Sequence, residues 1–465
     1  MRRNILFRLF MLAGILWFFQ TCTILSAQDL VIRGGWVFDT NRESFVRNKA
    51  TVIRNGVFLF VANSYKSWGN GMTVIDLEDD DYILPGIFDL HAHYNVNLFG
   101  VRRREEFTVN PVVFLANGVT STFPAGSYDP EGMLRLREKI DRGEKIGPRI
   151  FNSGPYFGRA RPGWDQNMTT EEIYREVDKW AEKGVAGFKA KGISRNHLKA
   201  LIARAHLHGL TVTGHLGSGF HETVNPMDAI LLGIDRVEHF LGGADISSGQ
   251  PAYASLVHVR TNTWEFKEVV NFYLNHHVFF DATISAYGYY GKREEGYDYW
   301  TNERIYFTDF VRDTLRKNPR LQTIEQFEQI YHVKQKTIKA FYDAGGGDLI
   351  TLGTDHPSAG EYLAGFAAHR ELEVLVRSGI PPAAVIKMAT INGARALNVA
   401  EKLGSIEPGK FADLFVVKGN PIKDIHNTRH VYIVVKAGLA YYSESLLTSV
   451  EGKLGPANAE EAKEW

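Results

Sequence analysis

The sequence predicts an α/β protein: a (β/α)8 barrel joined to a small β-domain built from both chain ends. Three observations predict it. Eight strand-like segments from Ile83 onward alternate with helical stretches. Strand-like runs without helices between them occupy the two ends. Histidines, a lysine and an aspartate recur near the last residue of the predicted barrel strands, where that architecture gathers functional groups.

The first 27 residues stand apart from this fold. Arg2, Arg3 and Arg8 form a positive start, "LFMLAGILWFF" is an apolar run, and "LSA" at Leu25–Ala27 offers a small-residue cleavage site. This is the pattern of a secretory signal peptide, too short for an ordinary membrane span. Export to the periplasm or the medium is therefore expected, with no stable membrane span in the mature form. Removing Met1–Ala27 leaves 50 basic against 53 acidic residues, a net charge of −3. It also removes Cys22, the sole cysteine, so no disulfide is expected. Lipid anchoring on Cys22 is the competing use, but Phe19-Gln20-Thr21 makes a poor lipobox.

From Gln28 to about Asp81, "LVIRGGWVFDT", "ATVIRNGVFLFVA" and "MTVIDLE" alternate apolar and polar residues, with Asn55-Gly56 as a turn signal. After Pro85 the barrel units begin. "GVTSTFPAG" precedes the helical "EGMLRLREKIDRG", and "RIFNSG" precedes "TTEEIYREVDKWAEKG". In the latter, Ile173, Val177 and Trp180 share a helix face, Thr169 or Thr170 caps the start and Gly184 ends it. Further strands are "VAGFKAKG", "LTVTGHLG", "DRVEHF", "VFFDATISA" and "DLITLGTD". Beyond Ile406, "GKFADLFVVKGNP" and "RHVYIVVKAGLAYY" are strand-like again and are expected to pair with the N-terminal strands. The expected divisions are 28–84 with 400–445 for the β-domain, 85–399 for the barrel and 446–465 for a mobile tail. Gly242–Asn275 and "AYGYYGKREEGYDYW" are longer than barrel loops need and read as a lid or substrate wall.

With 465 residues and 44% hydrophobic content the chain can bury a large core. Basic and acidic residues both number 53, so the basic excess that draws proteins to phosphate backbones is absent and no nucleic acid partner is expected. A homo-oligomer is left open.

In "ILPGIFDLHAHYNVN", His91 and His93 lie two apart at a strand end and so project from one face. An isolated His-x-His is more often structural than metal-binding. The other strand ends decide otherwise: Lys189 in "GFKAKG", His215 in "VTGHLG", His239 in "RVEHF" and Asp355 in "LGTDHP". Four imidazoles and a carboxylate suit zinc, and also manganese, iron or cobalt.

These residues, with "KMATINGARALNVAEKLGSIEPGKFADLFVVKGNPI", resemble the amidohydrolase superfamily from Leu30 to about Tyr441, most closely its imidazolonepropionase and prolidase-like branch. The resemblance implies a distorted (β/α)8 TIM barrel with a small β-sandwich domain built from both chain ends, and a metal-dependent hydrolase with two divalent metal ions. It implies that His91 and His93 bind the more buried metal, His215 and His239 the more exposed one, and a carboxylated Lys189 bridges them. Asp355 is implied to hold the first metal and to act as general acid and base. A lysine ammonium has no lone pair, so Lys189 can serve only when deprotonated or carboxylated. Lys191 faces the same way and competes for the position, with an ordinary lid or surface charge as its other reading. A water bridging two metals ionises near neutrality and would attack a polarised carbonyl, Asp355 passing its proton to the leaving group.

The first functional reading is hydrolysis of a C–N bond in a small-molecule substrate: amide, peptide or cyclic amide. The same site acting on a lactone or phosphoester is the second, and a non-catalytic binding homologue the third. Arg159 or Arg161 is a candidate clamp for a substrate carboxylate. His206, His208 and His276-His277 read as structural or solvent-facing, and His356 as either a substrate contact or a packing residue.

Overall fold

The computed structural model describes residues 29–62, 71–101, 103–217, 223–243, 252–295, 303–318, 324–357 and 363–465. The expected signal peptide, Cys22 and the end of the aromatic run, 296–300, lie outside the described residues.

Strands β1 (Leu30–Asp39), β2 (Ser44–Arg47), β3 (Ala50–Arg54), β4 (Val57–Phe60) and β5 (Thr73–Pro85) open the chain. The middle holds β6 (Ile87–Ala92), a short pair β7 (Asn95–Val96) and β8 (Arg104–Glu105), then β9 (Val119–Pro124), β10 (Arg149–Ile150), β11 (Tyr156–Phe157), β12 (Gly187–Lys191) and β13 (Thr211–His215). It continues with β14 (Arg236–Glu238), β15 (Phe279–Asp281) and β16 (Ile350–Thr351), and β17 (Leu414–Lys418), β18 (Val431–Lys436) and β19 (Leu439–Tyr442) close the series.

Both chain ends enter one eight-stranded sheet in the order β19-β18-β17-β5-β1-β3-β4, with β2 also paired to β1. β17 runs antiparallel to β5 with Leu414 opposite Pro85, and β1 runs parallel to β5. Where a β-sandwich is expected, the described residues form this single mixed sheet, which buries Leu30, Ile32, Ile53, Ile83, Leu414, Val416 and Val435 on one another.

Strands β6 and β9 to β16 are parallel and fall in two sheets, β10-β9-β6 and β11-β12-β13-β14-β15-β16. The third expected strand is broken into β10 and β11 around Gly154, whose φ of +65° turns the chain. Hydrogen bonds join the first and last members of the series: Leu90 N donates to Leu352 O at 2.9 Å and Asp355 N to His91 O at 2.9 Å. These bonds place the ends of β6 and of the β16 segment side by side.

Helices pack outside by amphipathic design. In Thr170–Glu182, Thr169 and Glu172 form a reciprocal capping box, worth about 1 kcal/mol. Ile173, Val177 and Trp180 are buried, each contributing roughly 2 kcal/mol of apolar burial. Pro85-Gly86 also has a packing reason: a Cβ on Gly86 would sit 1.9 Å from Thr120 Oγ1. Only glycine lets the first parallel strand lie that close to the second.

The expected mobile tail is docked. Leu454 is fully buried and its backbone pairs with Tyr306 and Thr308 at 2.8 and 3.0 Å. Arg104 lies 4.8 Å over the Trp465 ring and donates to the Glu464 carbonyl at 2.9 Å. Apolar burial and strand-like pairing override the polar composition that suggested mobility. No described helix is long and apolar enough to cross a membrane.

Candidate metal centre

The strand ends converge as their spacing predicts. His91 and His93 project from the end of β6 with ring centroids 5.3 Å apart. His239 stands 4.6 Å from His91 and 4.6 Å from His215, ring to ring. Asp355 closes the group: its Oδ1 lies 2.9 Å from His93 Nε2 and 3.4 Å from His91 Nε2. Lys189 is fully buried on β12, against the carboxylate of Glu238. The six sequence-derived candidates are linked by these contacts into one group, His215 through His239 and Lys189 through Glu238.

The backbone is bent to achieve this. His239, Thr283 and Asp355 all take left-handed conformations, with φ of +66°, +49° and +59°. Such conformations are rare for residues other than glycine and concentrate at functional sites. At His239 the bend has a specific effect: strand alternation would send Glu238 and His239 to opposite faces, and the left-handed turn brings both inward.

Glu238 is the residue that sequence reasoning missed. Its Oε1 accepts from Thr213 Oγ1 at 2.9 Å, and its Oε2 lies against Lys189 Nζ and 3.4 Å from His91 Nδ1. Asp281, also fully buried, is 4.0 Å from His91 Nδ1 and 3.3 Å from Arg236 Nε, while Arg236 donates to the Leu90 carbonyl at 2.9 Å. Below the histidines lies a buried floor of alternating charge. The outer nitrogens of two histidines are also engaged: His239 Nδ1 with Thr283 Oγ1 at 2.7 Å, and His93 Nδ1 near Asn95 Nδ2 at 3.4 Å. Partners of this kind fix which ring nitrogen faces a metal.

Electrostatics follow from this packing. Burial, reinforced by the Lys189 charge, holds His91 well below the ordinary imidazole value. Burial does the same for His215 and His239, and lowers His93. Neutral imidazole is the form that ligates metals. Burial opposes ionisation of Asp355, but interaction with His91, a hydrogen bond to His93 and the field of His239 outweigh it and hold the carboxyl well below its usual range. Burial, with the neighbouring Lys191 charge, pulls Lys189 well below the ordinary amine value. That favours the unprotonated amine which ligation or carboxylation requires.

The donor set fits divalent cations. His91, Glu238 and His239 bring ligand atoms within 4.8 Å of one another, and so do His91, His93 and Asp355. Lys189 Nζ and Glu238 Oε2 face each other as a buried ion pair, whereas buried His91 Nδ1 makes no hydrogen bond among the described residues. A nitrogen so placed is destabilising unless something satisfies it.

Other candidates have protein partners. Arg161 pairs with Glu176 at 2.9 Å and Arg159 donates to Gln166 at 2.9 Å. His206 and His208 contact Asp235 and Asp178 at 3.0 and 2.6 Å. His277 lies just past a helix end, and His356 is buried with its ring 5.9 Å from that of Tyr289. The two long segments both reach the site: Tyr253 lies 6.2 Å from His215, Tyr287 lies 6.5 Å from His239, and the two tyrosine rings are 6.1 Å apart.

The model of the amidohydrolase family matches residues 82–440, and the chain belongs to that family. "Adenine deaminase 4" of Rhizobium meliloti (strain 1021) is 40% identical over 75 residues, 16% of this chain and 12% of that protein. "Adenine deaminase 3" of the same strain is 23% identical over 402 residues, 83% of this chain and 54% of that protein. The chain thus spans about half the length, or less, of these curated relatives. A Xaa-Pro dipeptidase solved with bound methionine superposes with a TM-score of 0.66 at 23% identity, over 89% of this chain and all of that one. The shared fold is TIM-barrel-like α/β.

Proposed function

We propose that this protein is a metal-dependent hydrolase that cleaves a C–N bond (amide, peptide or cyclic amide) in a small molecule. The observation that carries this reading is the approach of His91 Nε2 and His93 Nε2 to one oxygen of Asp355. A carboxylate beside a neutral imidazole pair is a ligand and a proton carrier in one group. Family membership, and relatives named deaminase and dipeptidase, support the bond class.

His91, His93 and Asp355 would hold one cation, His215 and His239 a second, with Lys189 as a carbamate between them. Zinc suits these donors best, manganese, iron or cobalt being alternatives. When bound, the cations supply carbonyl polarisation and hydroxide at neutral pH. The chain's own residues do the rest. Asp355 accepts a proton from the attacking water and returns it to the leaving nitrogen. Thr283 holds the His239 ring, Glu238 takes the proton that Lys189 sheds, and Tyr253 and Tyr287 limit water at the mouth. We infer in addition that the parallel strands close as a distorted (β/α)8 barrel, a reading the Leu90–Leu352 hydrogen bond supports, and that the mixed sheet is one layer of a β-sandwich. Export rests on residues 1–27 alone.

The test is turnover by the zinc-loaded protein and its Asp355→Asn variant across dipeptides, N-acyl amino acids, lactams, lactones and phosphotriesters. Turnover confined to C–N substrates and lost in the variant is expected. Turnover of lactones or phosphotriesters alone, or an unimpaired variant, would overturn the reading.

A further inference from the structure

Lys334, in the middle of the helix Glu325–Asp343, is 2% exposed, and among the described residues it makes no ion pair. Burying a lysine without a counter-charge is unfavourable unless its amine is hydrogen-bonded. Here the amine donates to the backbone carbonyl of His239. Its Nζ also sits over the Tyr287 ring, 4.2 Å from the centroid. One side chain thus joins a candidate metal ligand to a tyrosine beside the site.

His239 needs such a partner. It stands one residue past β14 with a φ of +66°, and Lys334 supplies its carbonyl with the donor that a strand ladder would otherwise provide. Its amide donates to the Asp281 carbonyl at 2.9 Å, and its Nδ1 meets Thr283 Oγ1 at 2.7 Å. Those two bonds leave the direction of the carbonyl open, and the bond from Lys334 closes it. A left-handed residue other than glycine persists only where its surroundings fix it. Relaxed to extended backbone, His239 would turn its ring to the face opposite Glu238, away from the cluster. Thr283 is free to hold the ring because another helix does its capping. It precedes the helix Ile284–Gly291 without a side-chain cap bond, and Glu371 accepts from the Ile284 and Ser285 amides at 2.9 and 2.7 Å instead. Tyr287 rides on the first turn of that helix. The contacts therefore close a circuit from the His239 ring through Thr283, Tyr287 and Lys334 back to the His239 carbonyl. Among the described residues the Lys334 amine bonds to no other candidate ligand.

We propose that Lys334 is a positioning residue whose hydrogen bond to the His239 carbonyl holds His239 in the conformation that ligates the more exposed metal; this rests on the two-metal reading above. Its place over Tyr287 ties that ligand to the wall of the site. The consequence is selective. Loss of the amine weakens the metal held by His215 and His239 and spares the one held by His91, His93 and Asp355.

The experiment titrates the metal-free full chain with cobalt(II), whose visible absorption follows each binding step, in the wild type, Lys334→Met and Lys334→Ala. His239→Ala marks which step belongs to His239. The wild type should take up two ions. Lys334→Met, which keeps the bulk and lacks the donor, should bind the His239 ion roughly 10- to 100-fold less tightly and the other within about twofold. In Lys334→Ala, propylammonium restores the missing stem and donor and should recover the lost step, whereas tetramethylammonium, with no N–H, should not. Unchanged binding in Lys334→Met would overturn the proposal, as would equal weakening of both steps. Equal recovery by the two cations would make the effect one of filled volume and overturn it too. Urea unfolding of the metal-free proteins shows which variants fold. Should Lys334→Met fail, Lys334→Gln, with an N–H donor on a shorter stem, takes its place; a smaller selective loss is expected, and none would overturn the proposal. A single ion in the wild type would fail the two-metal reading and this inference with it, whereas two ions without selective loss would fail this inference alone. Selective loss without turnover of any substrate in the panel above would leave Lys334 in its role and count against the hydrolase reading.

Discussion

Thr354 Oγ1 donates a 2.7 Å hydrogen bond to Oδ2 of Asp89, while the Thr354 amide and the His91 amide each reach Oδ1 at 3.1 Å. One buried carboxylate thereby ties the strand carrying His91 and His93 to the segment carrying Asp355. Burial pushes that carboxyl up to about 7, against the pull of these bonds. Asp89→Ala would strand two buried amides and a hydroxyl, so a loss of about 2–4 kcal/mol is expected, with weaker zinc retention. Asp89→Asn, which can still accept at one atom and donate to Thr354 Oγ1, should lose less. Urea midpoints and zinc content after dialysis test this; wild-type values for Asp89→Ala would remove the tie from the account.

Glu238 touches both Lys189 and His91 without being one of the six strand-end ligands read from sequence. Glu238→Gln keeps its shape and removes the charge that lies against Lys189 and His91. Zinc affinity should fall roughly 10- to 100-fold, as for other outer partners of metal-binding histidines. A chelator competition measures it, and a carbon-13 signal from labelled bicarbonate reports whether Lys189 is carboxylated in each protein. Unchanged affinity together with an unchanged signal would show that Glu238 is inert.

Gly353 lies where the β16 segment crosses β6. A methyl there would come within 2.7 Å of His91 Cβ and 2.9 Å of Asp281 Oδ2. Gly353→Ala should therefore lower stability by about 1–3 kcal/mol and displace His91. Thermal unfolding with and without zinc separates the two effects. The variant should gain less from added zinc than the wild type does, and an equal gain would mean that the site tolerates the methyl.

His369 provides a pH test away from the metal centre. Its Nδ1 lies 3.1 Å from Thr428 Oγ1 and its Nε2 lies 3.0 Å from the Asn117 carbonyl. Burial lowers the imidazole to about 3 despite that carbonyl. The folded chain keeps it neutral while the unfolded chain protonates near 6.5, so its stabilising contribution is complete above that pH and is lost as pH falls toward 3. At pH 5 the loss relative to pH 8 is about 2 kcal/mol. Urea midpoints of the wild type should fall more steeply between pH 8 and pH 5 than those of His369→Gln. Parallel curves would mean that His369 does not titrate this way.

What could be read in advance depended on how local the cause was. His91 and His93 declare themselves through two-residue spacing, and the Thr169 cap through a three-residue one. Glu238 was hidden because alternation assigns it the face opposite His239, and only the left-handed turn at His239 cancels that rule. Arg161 looked available because nothing nearby in its loop predicts that Glu176, on the following helix, turns back to it. Leu454 is a lone apolar residue in a polar tail, and its burial is decided by Tyr306 and Thr308.

The pairing of β17 with β5 sets an order of events during synthesis. Pro85 meets Leu414 only after some 330 further residues have been added, roughly 15 to 65 s at common translation rates. Through that interval the inner edge of β5 offers unpaired amides and carbonyls to any strand that passes, its own barrel strands included. An ordered nascent chain needs that edge shielded, by a chaperone or by delayed collapse, until the last strands emerge. A ribosome stalled before residue 414 should accordingly hold a protease-sensitive N-terminal sheet, and one stalled well beyond residue 442 a resistant one.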